Sequence, residues 1–255
     1  MIRPARFGIV LARHPMATTY QSEFYATRHR RTVAASNRVL DALLPCLPPV
    51  RSCLDVGCGV GTWLSTLRER GVEDVLGLDG PWVETSLLEI PADRFRVTPL
   101  DRPWSAGRRF DLAMSLEVAE HLPAESADTF VRCLTESADF ILFSAAIPGQ
   151  GGTNHVNEQP ASYWVRKFAA AGYAMKDIIR RQIWDAETVP AWYRQNCLVF
   201  VREDRAGEVL GTESEGPVDL VHPETFRAHL KYFRGPKGLV RVAGRMAIET
   251  FGLRT

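Results

Sequence analysis

Apolar positions recur along the chain in two rhythms. Residues 31–46 (RTVAASNRVLDALLPC) place them at helical spacing, and the prolines at 45, 48 and 49 end that helix. Short apolar runs then alternate with longer amphipathic stretches. Strands are expected at about 51–56, 74–79 (DVLGLD), 94–99, 110–116 (FDLAMSL) and 139–145 (DFILFSA), and helices at 61–70, 82–88, 123–136 and 160–171. Such alternation predicts right-handed crossovers and a mainly parallel sheet. Beyond residue 173 the rhythm changes. YAMKDIIRRQIW and NCLVFVRE follow one another with no long helix between them, which predicts an antiparallel hairpin. The chain therefore divides into an N-terminal helical arm or lid (1–32), an α/β domain (33–203), an acidic, glycine-containing linker (204–222) and a basic, partly helical tail (223–255).

Composition changes this picture little. The chain has 255 residues, 45% of them hydrophobic, enough for one sizeable core. A net charge of +1 points to neither nucleic acid nor a membrane surface. The ends are more basic: residues 1–31 hold six arginines against Glu23, and residues 223–255 hold seven Lys/Arg against Glu224 and Glu249. Five cysteines (46, 53, 58, 133 and 197) form no CxxC pair and read as free thiols of a reducing compartment. The run FGIVLA at 7–12 is too short to span a bilayer, so a soluble cytoplasmic protein is expected.

The candidate chemistry starts at SCLDVGCGVGTW, residues 52–63. A dinucleotide fingerprint needs a third glycine where this chain has Thr62; its glycines stand instead at 57, 59 and 61, with Asp55 two residues ahead. Asp79 ends the second expected strand, where a carboxylate accepts from ribose hydroxyls, and Asp101 follows the third, within reach of an adenine amino group. Three carboxylates at successive strand ends repel a pyrophosphate and suit a cationic nucleoside.

LDVGCGVGTWL, LGLDG, LDRPW and FDLAMSLEVAEHLP resemble, in order, the motifs of class I S-adenosylmethionine-dependent methyltransferases, over about residues 33–203. The resemblance implies a Rossmann-like, seven-stranded, mainly parallel sheet with an antiparallel last strand and helices on both faces. It also implies S-adenosyl-L-methionine as cofactor, with Asp55, Gly57, Gly59 and Gly61 along its methionine part, Asp79 on the ribose, Asp101 at the adenine and Leu116 beside them. Trp82 and Trp104 either flank the adenine or pack in the core.

Acceptor chemistry belongs at the carboxyl ends of the fourth and fifth strands. SLEVAEHLP supplies Glu117, Glu120 and His121, and PGQGGTNHVNEQP supplies His155, Asn157 and Glu158 on a glycine-rich loop (Gly149, Gly151, Gly152) suited to closing on substrate. This mixed oxygen and nitrogen set suits Mg²⁺ or Mn²⁺ held by Glu117, Glu120, His121 and His155. It resembles metal-dependent O-methyltransferases, including quinone-precursor enzymes and small-RNA terminal 2′-O-methyltransferases. Three readings stay open here: a metal site, His155 as a metal-free base with Glu117 and Glu158 as further catalytic candidates, and purely structural roles. Tyr20, Phe24 and Tyr25 are candidate lid residues, and Tyr193 and Arg194 candidate acceptor contacts. The expected function is methylation of a small molecule, foremost O-methylation of a hydroxyl with or without a divalent metal, and with no nucleic-acid or membrane partner. The alternatives are C-methylation of an isoprenoid or other diphosphate with Mg²⁺, and RNA 2′-O-methylation. A sequence pI near 7.7 and the lack of a recognisable RNA-binding module weigh against the last.

Overall fold

The computed structural model describes residues 15–211 and 216–233, with side chains described for residues 29–211 and 216–231. Seven strands form one sheet: β1 (Ser52–Val56), β2 (Asp74–Asp79), β3 (Phe95–Val97), β4 (Leu112–Leu116), β5 (Phe140–Ser144), β6 (Tyr173–Lys176) and β7 (Leu198–Arg202). Their order is β3-β2-β1-β4-β5-β7-β6. The first five strands run parallel, and β7 lies antiparallel between β5 and β6, as expected. The order reverses between β1 and β4, and the carboxyl ends of those two strands flank the crevice where open α/β sheets bind ligands.

Alternation along the strands fills two cores. Cys53, Leu112, Met114, Leu142, Val199 and Val201 face one side. There they meet α1 (Pro15–Leu43), α2 (Thr62–Arg68) and α5 (Arg180–Ile183). Leu54, Val56, Ala113, Ile141, Phe143 and Phe200 face the other, against α3 (Ala127–Ser137) and α4 (Ala161–Ala170). On that face Phe168 stacks on Phe200 at 3.9 Å between ring centroids, with Phe143 edge-on to both and Trp164 tilted against Phe143. The two remaining helices are α6 (Ala191–Asn196) and α7 (Pro223–Phe233).

Several boundaries differ from expectation. The first helix begins at Pro15 rather than 31, because no glycine or proline interrupts residues 16–44 although the first half carries no clear apolar stripe. Residues 82–88 form only a 3₁₀ turn at Thr85–Leu87; Leu87 has no partner face and is exposed. The run after Lys176 leaves the sheet, since Asp177 pairs with Arg180 at 2.6 Å and turns the chain into α5. The segment read as a linker is fastened to the domain: Leu210 N donates to Cys46 O, Arg180 donates to Val218 O, and Ser162 N donates to Asp219. The side chains of Tyr20, Phe24 and Tyr25, and the basic residues of 1–14 and 234–255, lie outside the described residues.

Candidate active site

The glycine turn is pinned to β2 by two backbone bonds, Gly57 N and Cys58 N both donating to Leu78 O. Its three glycines all have positive φ (84°, 54° and 86°). Their surroundings differ. A Cβ at Gly57 would stand 2.2 Å from the Val118 side chain, and one at Gly61 would stand 2.9 Å from Ile90, whereas a Cβ at Gly59 would meet nothing within 4 Å. Gly57 and Gly61 are therefore required by packing, and Gly59 faces open space.

Two carboxylates close this end of the sheet. Asp79 accepts from Gly59 N at 2.7 Å and from Gly80 N at 2.6 Å. Asp55 is buried at the end of β1, and its Oδ2 has no hydrogen-bond partner. Burial, and then repulsion from Asp79, raises the Asp55 pKa to about 8. An unpaired buried oxygen beside a second carboxylate, next to an open glycine, fits a ligand that brings positive charge. The indole of Trp82 lies flat against Gly80 and is 76% exposed, while Trp104 is buried on the α3 face. Asp101 is half-exposed beside Arg102, and Leu116 is buried at the end of β4.

The turn after β4 abuts this one through the Val118–Gly57 approach. Glu117 sits there with φ 56°, a strained backbone for a non-glycine residue. Its N–H donates to Ser144 O at 3.0 Å, tying the turn to β5. The sequence offered Glu117 as a metal ligand together with Glu120, His121 and His155. The structure brings only the last three together, with one donor atom from each lying within 4.8 Å of the others. Glu117 instead receives Gln150 Nε2 at 2.7 Å and Asn196 Nδ2 at 3.1 Å. Burial raises its pKa and these amide bonds partly offset that.

Glu120 is fully buried, and neither carboxylate oxygen has a partner in hydrogen-bond geometry, although the N–H groups of Glu120 and Ala146 lie close enough to oppose its shift. Burial, and then Glu117, raises its pKa to about 8. His121 and His155 meet edge to face at 4.8 Å. His155 Nδ1 bonds Glu158 Oε1 at 2.8 Å, which directs Nε2 away from that carboxylate. Glu158 also accepts from Gly149 N and Gly151 N, so its oxygens brace the loop. Asn157 is buried, accepting from Gln159 Nε2. Tyr193 is packed edge-on against Trp63, and Arg194 is buried against Glu224 rather than facing an acceptor. The residues that sequence reasoning missed are Val118, Gln150, Gln195 and Asn196, for which no residue-type signal exists.

Residues 26–146, just under half of the chain, match the family model described as a methyltransferase domain. This segment is a methyltransferase domain. The methyltransferase resembles solved structures at low identity. DesVI of Streptomyces venezuelae is 14% identical, covering 74% of this chain and 99% of its own, with a TM-score of 0.52. The sugar N-methyltransferase KedS8 of Streptoalloteichus is 17% identical, covering 79% and 98%, at 0.53. A TehB-like S-adenosylmethionine-dependent methyltransferase of Corynebacterium glutamicum is 19% identical, covering 72% and 99%, at 0.50. These likenesses show the fold. No curated protein matches the methyltransferase. None of its described helices is long and apolar enough to cross a membrane.

Proposed function

We propose that this methyltransferase methylates an oxygen of a small-molecule acceptor, with a divalent cation held by Glu120, His121 and His155. The observation that carries the reading is Glu120: a fully buried carboxylate with two unpartnered oxygens, aimed at two imidazoles in the turn that touches the glycine loop. A buried, unpaired carboxylate is costly unless a cation meets it.

Asp55, Gly57, Gly59 and Gly61 would line the methionine part of S-adenosylmethionine, Asp79 the ribose, and Trp82 would offer a face to the adenine. Asp101 is the further adenine candidate, and Leu116 would wall the pocket. Bound S-adenosylmethionine supplies an activated methyl on a sulfonium. The protein's own part is to align the acceptor oxygen with it and exclude water. Mg²⁺ or Mn²⁺ at the triad would supply Lewis acidity toward neighbouring acceptor oxygens. His155, its Nδ1 fixed on Glu158, is oriented to take a proton at Nε2 where no metal is held. That the sheet is shared with a sugar N-methyltransferase supports an acceptor of sugar size.

The test is calorimetric titration of chelator-treated protein with S-adenosylhomocysteine, with Mn²⁺ alone, and with both. Saturable Mn²⁺ binding that Glu120→Gln abolishes is the expected result. Cofactor binding with no metal response would leave His155 as the base and end the metal reading.

A further inference from the structure

Glu117 lies at the end of a polar column that begins just ahead of α7. His222, just ahead of α7, is fixed through both ring nitrogens: Nε2–H donates to Trp184 O at 3.0 Å, and Nδ1 accepts from Glu224 N at 3.2 Å. Its backbone N–H donates to Gln195 Oε1 at 2.8 Å. Gln195 Nε2 donates to Asn196 Oδ1 at 2.8 Å and toward Gln150 Oε1 at 3.4 Å, and Asn196 Nδ2 donates to Gln150 Oε1 at 2.9 Å and to Glu117. Further along α7, His229 Nδ1 donates to Gly149 O at 2.9 Å. Arg194, one residue before Gln195, pairs with Glu224 in the first turn of α7 at 2.6 Å. The α7 segment thus bonds the Gln150 loop directly at Gly149 and reaches the Gln150 side chain through Gln195.

We infer that Gln150 is a positioning residue for Glu117 and that α7 is the latch that holds it there. The loop alone does not explain the placement. Gly149 and Gly151 both have positive φ, and Gln150 itself has one short backbone bond, to Ile147 O. Glu158 fixes the two glycine amides, but the Gln150 side chain is oriented by Asn196 and Gln195, which α7 sets in turn. The side-chain amides of Gln150, Gln195 and Asn196 each meet another member of the column, and the Gln150 amide occupies Glu117 Oε2 where a donor from outside would bind. Resting on the small-molecule reading above, an acceptor hydroxyl that reaches Glu117 takes the place of that amide and displaces the loop.

The latch is tested by hydrogen exchange on the full chain without cofactor, metal or acceptor, so its outcome is independent of the proposed reaction. His229→Leu removes the bond to Gly149 O, and His229→Asn restores a side-chain donor. Gln195→Leu cuts the column from the other end. Exchange of the amides of 149–152 is expected to rise about tenfold in His229→Leu and Gln195→Leu, the order that loss of one hydrogen bond produces in local opening, and to return toward the parent rate in His229→Asn. Unchanged exchange in both leucine variants would overturn the latch. Acceleration spread evenly over the β-sheet amides would overturn it equally, because α7 would then be a general staple rather than the loop's holder.

Discussion

The backbone N–H of Gly59 donates to Asp79 Oδ2 at 2.7 Å, so the carboxylate at the end of β2 holds the glycine turn that follows β1. Gly80 N donates to the other oxygen of the same group. Asp79→Ala leaves both donors unmet, at a cost of roughly 1–3 kcal/mol for each that stays buried. The expected outcome is a lowered melting temperature and loss of S-adenosylhomocysteine binding by calorimetry. Full affinity in Asp79→Ala would remove this residue from the cofactor site.

The glycines of the turn separate folding from binding. Gly57→Ala forces a Cβ to 2.2 Å from Val118 and keeps an unfavourable φ of 84°. It should destabilise the fold by several kcal/mol, on the order of an overpacked core site plus left-handed strain. Gly59→Ala meets no protein atom within 4 Å, so it should cost only about 1–2 kcal/mol in stability. Its cofactor affinity should nevertheless fall at least tenfold. Denaturant melts and calorimetry on the two variants check the contrast.

Asp55 predicts a pH dependence with a definite sign. Its folded pKa of about 8 lies above the ordinary 3.8, so the folded state binds a proton more tightly than the unfolded chain. The contribution to stability is complete below about pH 4 and is lost as pH rises through about 8. Asp55→Asn should flatten the decline in melting temperature between pH 5 and 8. A cationic ligand placed beside Asp55 favours its ionised form, so binding S-adenosylmethionine near pH 7 should release a proton. Calorimetry in Tris and in phosphate would show this as different apparent enthalpies for the parent chain and equal ones for Asp55→Asn. Equal enthalpies for the parent would place the positive charge elsewhere.

The metal triad and Glu117 are expected to part company. Glu120→Gln and His155→Ala should each weaken Mn²⁺ binding by tenfold or more, whereas Glu117→Gln should leave it within twofold, because Gln150 and Asn196 hold Glu117 apart from the triad. Loss of Mn²⁺ binding in Glu117→Gln would return that residue to the coordination sphere.

Much of this fold was legible because both faces of the sheet are covered. FDLAMSL and DFILFSA are predominantly apolar runs whose ends fall within two residues of β4 and β5. The glycine turn and Asp79 were legible because their backbone geometry restricts the residue types that fit. Helix α1 was half-hidden, since its first sixteen residues carry no apolar period. Residues 177–184 misled because Ile178, Ile179 and Ile183 are buried in the core beside α1 rather than within the sheet. Glu120, His121 and His155 could be named as a group from their types. The diversion of Glu117 could not, because its partners Gln150 and Asn196 stand 33 and 79 residues away and carry no signature of their own.

The approach of Val118 to Gly57 ties together two parts of the molecule that answer to different demands. A change of acceptor that required a bulkier or shifted residue at 118 would press on the turn that every acceptor's methyl donor must share. Diversification of substrate range is thereby steered away from the strand ends and toward parts that can vary without that toll, the C-terminal segment and the positions of the 147–160 loop other than Gln150, His155 and Glu158. Variants selected for new acceptors should accumulate there first and leave the Glu117–His121 turn as it stands.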